Sequence, residues 1–417
     1  MSRKHWPVNW VDGMKITKEH FQAQEAHLTE QLALVTGGLL TDDNFGLLDH
    51  PSASGASLDL AITTDEVVLT QCRAITRGGH LIVVNEANNA TLRHPMAQLV
   101  FGGRFKEGEQ IVLLLRIDPD ERELIGSPDN SEYPLRQPFA GPRLRLEVIA
   151  KQHARDLAVY HHAVPLAEMT YVYQGATNNT SYVIPAVRAA LTEGLTSATD
   201  DWKKRLLDLE GNAYEIIRKI RDKHRNKLGN QLSTDLLALT EATIRYIAAN
   251  YDRLSQSLPQ APASETVVWF KALARTVRTE LRLAGNQESM LRYLAYFIRE
   301  VGPTDLMEHC NVLCDHSYHH AFIRDSLTHI DTFLEFMDTL FGQLRQLDYH
   351  DIATPTIIDG RYFNQRDQRT VGQSESTTPP KTPSTTIRIK SRNSGPGGST
   401  PSPTEADPPN GDGWGLE

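Results

Sequence analysis

The densest collection of chemically capable side chains is His309-Cys310-Asn-Val-Leu-Cys314-Asp-His316-Ser-Tyr-His319-His320. On a helix Cys310 and Cys314 share a face, and His320 falls near the same line. Zinc wants four such nitrogen and sulfur ligands in a tetrahedron. The spacing matches no zinc finger or ribbon. Cys310 and His320 also lie on an apolar seam, where a thiol acts as a small hydrophobe. The expectation here is a packed helix. A second pair, His161-His162, precedes Val164-Pro165. Neighbours on a strand point to opposite faces, so these two are not expected to share an ion. Asp118, Asp120, Glu121 and Glu123 gather near a strand end, but Pro119 among them reads as a solvated turn rather than an acid–base pair. No nucleophile elbow, Walker loop, dinucleotide fingerprint or H-E-x-x-H occurs. The sequence predicts no enzyme, no cofactor and no metal.

Two stretches are strongly basic, Lys203-Lys-Arg205 and Arg218 to Lys227. Their charges fall around a seam kept apolar by Ile216, Ile220 and Leu228, which is the pattern of a solvated helix face. The chain as a whole carries a net charge of −9 and interleaves no aromatics with these cations. Nucleic acid is therefore not an expected partner, and a protein with an acidic surface fits better.

The elements that must position these residues differ between the two halves. At 417 residues the chain exceeds one ordinary domain. Cys72, Cys310 and Cys314 cannot form a disulfide framework, which fits a reducing compartment. No signal peptide is read in residues 1–20, and no run of apolar residues is long enough to span a bilayer. The expectation is a soluble, cytoplasmic protein. After a first helix stopped at Gly37-Gly38, short strand-like runs follow at Ser57–Thr63, Glu66–Ile75, His80–Asn85, Gln110–Asp118, Arg143–Ala150 and Met169–Tyr173. In Leu58-Asp-Leu60-Ala-Ile62 the large apolar residues fall two apart, as a half-buried strand requires. Arg77-Gly78-Gly79-His80 reads as a hairpin turn. Many short strands with frequent turns predict a β-sandwich.

From Asp201 the period changes. Trp202, Leu206, Leu209, Ala213, Ile216 and Ile220 alternate four and three residues apart, the spacing of a coiled-coil-like seam. Leu237, Thr240, Ile244, Ile247, Tyr251, Leu254 and Leu258 repeat it. Pro259 and Pro262 break the chain, and further helices are predicted over Ser264 to Leu281, Glu288 to Glu300 and Asp305 to Asp348. Such seams close a monomeric bundle or zip against copies of themselves, and spacing serves either.

The opening stretch is Trp6-Pro-Val-Asn-Trp10-Val-Asp12-Gly13-Met14, followed by Thr17 as a helix cap and His20-Phe21-Gln22. Phe21, Gln24, Leu28 and Leu32 then step along one helix face, the pattern of a helix plugging a β core. Trp10, Asp12, Gly13, Met14, His20, Phe21 and Gln22 resemble the N-terminal signature of the TssK family, the baseplate subunit of bacterial type VI secretion systems. That resemblance implies a non-enzymatic, contractile-injection assembly protein: a homotrimer at the cytoplasmic face of the inner membrane that grips the wedge subunits TssF and TssG. It implies shell-organising or partner-binding roles for Trp6, Trp10, Gly13, Met14, His20 and Phe21. With a trimer so implied, the heptad spacing itself makes Trp202, Leu206, Leu209, Ile216, Ile220, Leu237, Ile244, Ile247, Tyr251 and Leu254 the expected oligomerisation seam. It also relates the fold to phage receptor-binding proteins.

The expected organisation is a multidomain β + α chain: a first helix plus β-sandwich shell over 1–190, a helical neck or bundle over 191–350, and a tail over 351–417. From Gln373 the tail is dominated by Ser, Thr, Pro and Gly and is expected to be disordered. Two apolar islands, Ile387-Arg-Ile389-Lys390 and Trp414-Gly-Leu416, are either linear partner motifs or ordinary tail residues. TssK-like proteins carry a folded head after the neck, for which this chain leaves little length. Docking on the membrane complex would then use the region from Asp305 or the tail. The alternative reading is a carbohydrate- or peptide-binding β-sandwich module on an oligomeric helical stalk.

Overall fold

The computed structural model describes residues 4–50, 57–85, 91–100, 105–128, 131, 133–173, 175–297, 305–347, 356–358 and 361–363. Residues Met1–Asp367 form one compact unit. The islands at Ile387 and Trp414 lie outside the described residues. After residue 350 those residues comprise a small antiparallel ladder of β10 (Thr356–Ile358) with β11 (Arg361–Phe363).

The chain opens with an extended arm and helix α1 (Lys18–Leu39). Thr17 caps it as the sequence predicts, and the His20 ring takes the place a Glu usually fills in a capping box, its Nδ1 accepting the Thr17 N–H at 3.1 Å. Two antiparallel sheets follow. In the first, the long β3 (Glu66–Ile75) pairs along one edge with β1 (Gly46–Leu47) and β2 (Leu58–Ile62). Along the other edge it pairs with β4 (Leu81–Val84) and β5 (Leu92–Pro95). The second runs in the order β7 (Phe139–Ala150), β6 (Gln110–Ile125), β8 (Ala163–Val172), β9 (Gly175–Asn178). Val67, Leu69, Cys72 and Ile82 of the first sheet bury against Ile111, Leu113, Leu115, Val164 and Met169 of the second, so both sheets face one core.

Strand β6 does not stop at Pro119. It shifts register between Asp118 and Arg122 and continues to Ile125, with the proline in the irregular stretch, where its missing N–H leaves no ladder bond broken. The predicted solvated turn is thus a strand bulge.

After the one-turn α2 (Met96–Leu99), which follows β5, the described residues hold the helices α3 (Glu193–Arg225), α4 (Gln231–Asp252), α5 (Ala263–Leu283), α6 (Gln287–Phe297), α7 (Asp305–Asp315) and α8 (Ile323–Gln346). The segment expected to run on from Asp305 breaks at His316–Phe322. Seam residues Trp202, Leu206, Leu209, Ile216, Ile220, Ile244, Ile247 and Leu254 are buried in a single core with residues of α5, α7 and α8 of the same chain. Leu237 is partly buried against that core and Tyr251 is half-buried. The side chains expected to join copies are covered within one chain, where α8 supplies the complementary stripe Leu327, Ile330, Leu334, Met337 and Phe341. Trp202 anchors it, its indole N–H donating to Asp331 Oδ1 at 2.6 Å and its ring meeting Phe270 edge-on at 4.9 Å.

A third cluster joins sheets to helices. Phe45, Val112, Leu114, Tyr160 and Ala163 pack with Ala321 and Phe322 from the break before α8. The Tyr182 hydroxyl reaches across to the Ala321 carbonyl at 2.9 Å.

Candidate functional site

The N-terminal arm folds back along α1 and is tied to it by polar bonds rather than by burial. Glu30 accepts the backbone N–H groups of Lys4 and His5, each at 2.7 Å, and Gln24 accepts that of Val8 at 3.2 Å. The His27 ring, buried on α1, donates from Nδ1 to the His5 carbonyl at 3.2 Å. At the turn, the Met14 N–H donates to Val11 at 3.2 Å while Gly13 takes φ 76°. Trp10 then lies over the helix start, its ring centroid 6.1 Å from His20 and 6.2 Å from Phe21.

The spacing along α1 predicts that Phe21 plugs a β core. Instead, Phe21 is 62 % exposed, Trp10 46 % and Trp6 68 %. Met14 and His20 are half-buried and Gly13 is exposed. The reason lies on the opposite face of α1, where His27 and Ala33 are the buried side chains and the small residues Ala33 and Gly37 press against the Gly78-Gly79 turn. The large residues Leu28, Leu32, Val35 and Leu39 are left outward.

Beside the arm, α1 and the far end of the β6–β7 ladder bound a cleft of about 1070 Å³. Its walls include Ile16, Phe21, Leu124, Leu135 and Phe139, with Arg122 and Arg136 at its polar rim. Arg122 is paired to Glu25 of α1 at 2.8 Å. Asp118, Asp120 and Glu121 lie on this same bulged strand and are matched by cations: Glu121 to Arg143 at 2.8 Å, Asp118 to Arg145 at 3.3 Å and Asp120 to Lys4 at 2.5 Å. The Lys4 ammonium, bonded to Asp120, holds that carboxyl below the usual range, which suits an anchor and not a proton donor.

Neither a protein-family model nor a curated protein matches the chain. Solved structures do. A crystal structure of TssK is 15 % identical over 82 % of this chain and 70 % of its own length, with a TM-score of 0.45. The TssK-TssF-TssG baseplate subcomplex of a type VI secretion system, seen by cryo-electron microscopy, matches at 13 % identity over 80 % of this chain and 100 % of that one, TM-score 0.44. A baseplate complex from the type VI secretion system matches at 14 % identity over 79 % and 99 %, TM-score 0.43. The likeness is to TssK.

The remaining sequence candidates separate cleanly. Cys310 and Cys314 are buried on α7, and burial pushes the Cys310 thiol up to about 12. Cys314 Sγ donates to the Lys271 carbonyl at 3.7 Å, and His320 is engaged elsewhere, with Tyr318 and Phe45. Packing is what that stretch does. His161 and His162 are different. They sit at the end of a short 3₁₀ turn (Leu157–His161) before β8, not within a strand, so the argument that neighbours diverge does not apply. Their ring centroids are 4.5 Å apart, and His80, from the turn before β4, closes on His162 at 4.9 Å. His80 carries no signal in the sequence that pairs it with His161 and His162; it joins them through the bonds of Arg77 and Gly78 to Tyr160 and His161. Among the described residues, no helix is long and apolar enough to cross a membrane.

Proposed function

We propose that this chain is a TssK-like, non-enzymatic assembly protein of a type VI secretion baseplate, a homotrimer working at the cytoplasmic face of the inner membrane. One observation carries the reading: the aromatics of the TssK-like opening stretch, Trp6, Trp10 and Phe21, are exposed, and Phe21 lines a cleft of mixed apolar and polar walls. Contiguous exposed aromatics of this kind mark interaction sites. In this proposal Trp6, Trp10, Phe21 and the cleft receive an apolar segment of a wedge subunit, the counterpart of TssF or TssG. Gly13, Met14 and His20 set the arm's path. The division into a shell over 1–190 and a neck over 191–350 is kept, with the C-terminal region linking to a membrane-complex component.

Trimer formation needs a surface other than the α3–α4 seam. The outward residues Leu28, Leu32, Val35 and Leu39 of α1 alternate four, three and four apart, which is coiled-coil spacing on an exposed face. We assign self-association to this stripe. A second reading, a peptide-binding module on a helical stalk, is favoured by the cleft alone.

Light scattering on the purified chain, with and without residues 351–417, tests the proposal. The expected mass is three times that of the chain in both forms, dropping to one chain in a Leu32→Glu/Val35→Glu variant. Trp10→Ala and Phe21→Ala should retain the trimer and weaken capture of the wedge subunits. A monomeric wild type would put the peptide-binding module first.

A further inference from the structure

We propose that His80, His161 and His162 form a three-histidine site for a divalent first-row transition metal, with Zn²⁺ the best fit. The side chains come from two segments held together by backbone bonds. The Arg77 N–H donates to the Tyr160 carbonyl at 2.9 Å and the Gly78 N–H to the His161 carbonyl at 3.2 Å. A Cβ at position 78 would overlap that carbonyl and lie 2.8 Å from the His161 ring, so glycine is what lets the turn close on the imidazole. His80 is fixed from the other side, its N–H donating to Thr76 Oγ1 at 3.1 Å. The His162 carbonyl accepts the Ile117 N–H at 2.9 Å.

One ligand nitrogen from each of the three rings lies within 4.8 Å of the other two. Tetrahedral zinc at Zn–N distances of about 2.1 Å places its ligands about 3.4 Å apart, a closure of the kind small side-chain rotations supply. The buried Nδ1 of His162 has no hydrogen-bond partner, the state of a group waiting for a ligand. Burial lowers the proton affinity of all three, His80 to about 4, with charge on the neighbouring rings adding to the effect at His80 and His161 and Arg116 adding to it at His162. They are therefore neutral near pH 7, and metal need displace no proton. Three imidazoles suit Zn²⁺, Co²⁺ or Ni²⁺ better than Mg²⁺ or Ca²⁺, which take oxygen ligands.

The charges around the site are mixed. Arg77 repels a cation near His161 and Arg116 near His162. Both are already neutralised, Arg77 by Asp42 and Arg116 by Glu147 at 2.6 Å. Asp120 adds negative charge felt at His80 and His162. Bound metal would pin the β3–β4 turn to the start of β8. Since Gly79 of that turn seats Ala33 and Gly37, the pin also braces α1.

The test is binding of Zn²⁺ and Co²⁺ alone to the full chain after chelator treatment, read by calorimetry, metal stoichiometry and the visible ligand-field bands of Co²⁺. The expected result is one equivalent per chain, with intense tetrahedral-type Co²⁺ bands. The bands should vanish and affinity fall at least about tenfold in His80→Gln and His162→Gln. A Cys310→Ser/Cys314→Ser chain should bind as wild type. Should one histidine variant fail to fold, judged by its circular dichroism and melting in chelator, His161→Gln provides the same readout. No binding at millimolar metal, or binding unchanged in the folded histidine variants, would overturn the proposal.

Discussion

The Nε2–H of His320 donates to the backbone carbonyl of Phe45 at 2.8 Å, joining residues 275 positions apart. Its Nδ1 accepts from the Tyr318 hydroxyl at 2.8 Å, so both ring nitrogens are satisfied by the neutral imidazole. The ring also meets Phe45 edge-on at 4.8 Å. This buried histidine is a rivet between the sheets and the helices.

Burial holds the His320 pKa at about 4, against an ordinary value of 6.5. Between those values the unfolded chain binds the proton and the folded one does not, so stability is fully present above pH 6.5 and is lost as pH falls toward 4. His320→Ala should cost about 3 kcal/mol at pH 7, through a cavity and an orphaned Phe45 carbonyl. It should also flatten the acid limb of stability measured by urea unfolding across pH 4–7.

Gly79 carries φ 84°, and a Cβ there would overlap the Ala33 carbonyl oxygen on α1. Gly79→Ala combines left-handed strain with a backbone clash and should destabilise the fold by about 3 kcal/mol. Hydrogen exchange should show α1 as the helix whose protection falls most. Gly38, whose Cβ would meet nothing, is the control: Gly38→Ala should be neutral or slightly stabilising.

Much of this was legible in the residues. Alternation located Leu58–Ile62, and the change to a period between three and four at Trp202 located the helices. What periodicity could not say is what each apolar face meets. The α3 seam and the α1 stripe obey the same spacing, yet one is buried by α8 and the other faces outward. The difference is set by Ala33 and Gly37, whose small size brings the opposite face of α1 onto the turn. The His80–His161–His162 cluster was illegible for a related reason: the three meet only because the β3–β4 turn bonds across to Tyr160 and His161, in the turn before a strand of the other sheet.

Asp338 on α8 is pushed up to about 6 by burial, with Asp208, Asp201 and Glu335 adding to the effect and Arg205, 4.0 Å away, opposing it. The folded chain thus holds a proton that the unfolded chain releases between about pH 4 and 6. That contribution is fully present below pH 4 and lost as pH rises through 6. Because its side chain is 35 % exposed, solvent screening reduces the effect at pH 7 to about 1 kcal/mol. Asp338→Asn should raise stability by that amount at pH 7.5 and make no difference at pH 4, measured by denaturant midpoint.

Leu206 separates the two roles that a heptad seam can play. It is fully buried on α3, one turn from Trp202, and belongs to the core shared with α5 and α8. If the seam closes within one chain, Leu206→Ala opens a cavity in every molecule whether or not copies associate. The expected cost is about 3 kcal/mol in unfolding free energy, within the range for buried leucines. That cost should not depend on protein concentration, and the mass by light scattering should be unchanged. A seam between copies would behave otherwise: the truncation would shift the mass, and its apparent cost would vary with concentration through mass action. Leu32→Ala on α1 should give the reverse pattern, with little effect on the folding of a single chain because the side chain is 70 % exposed, and a measurable loss of association.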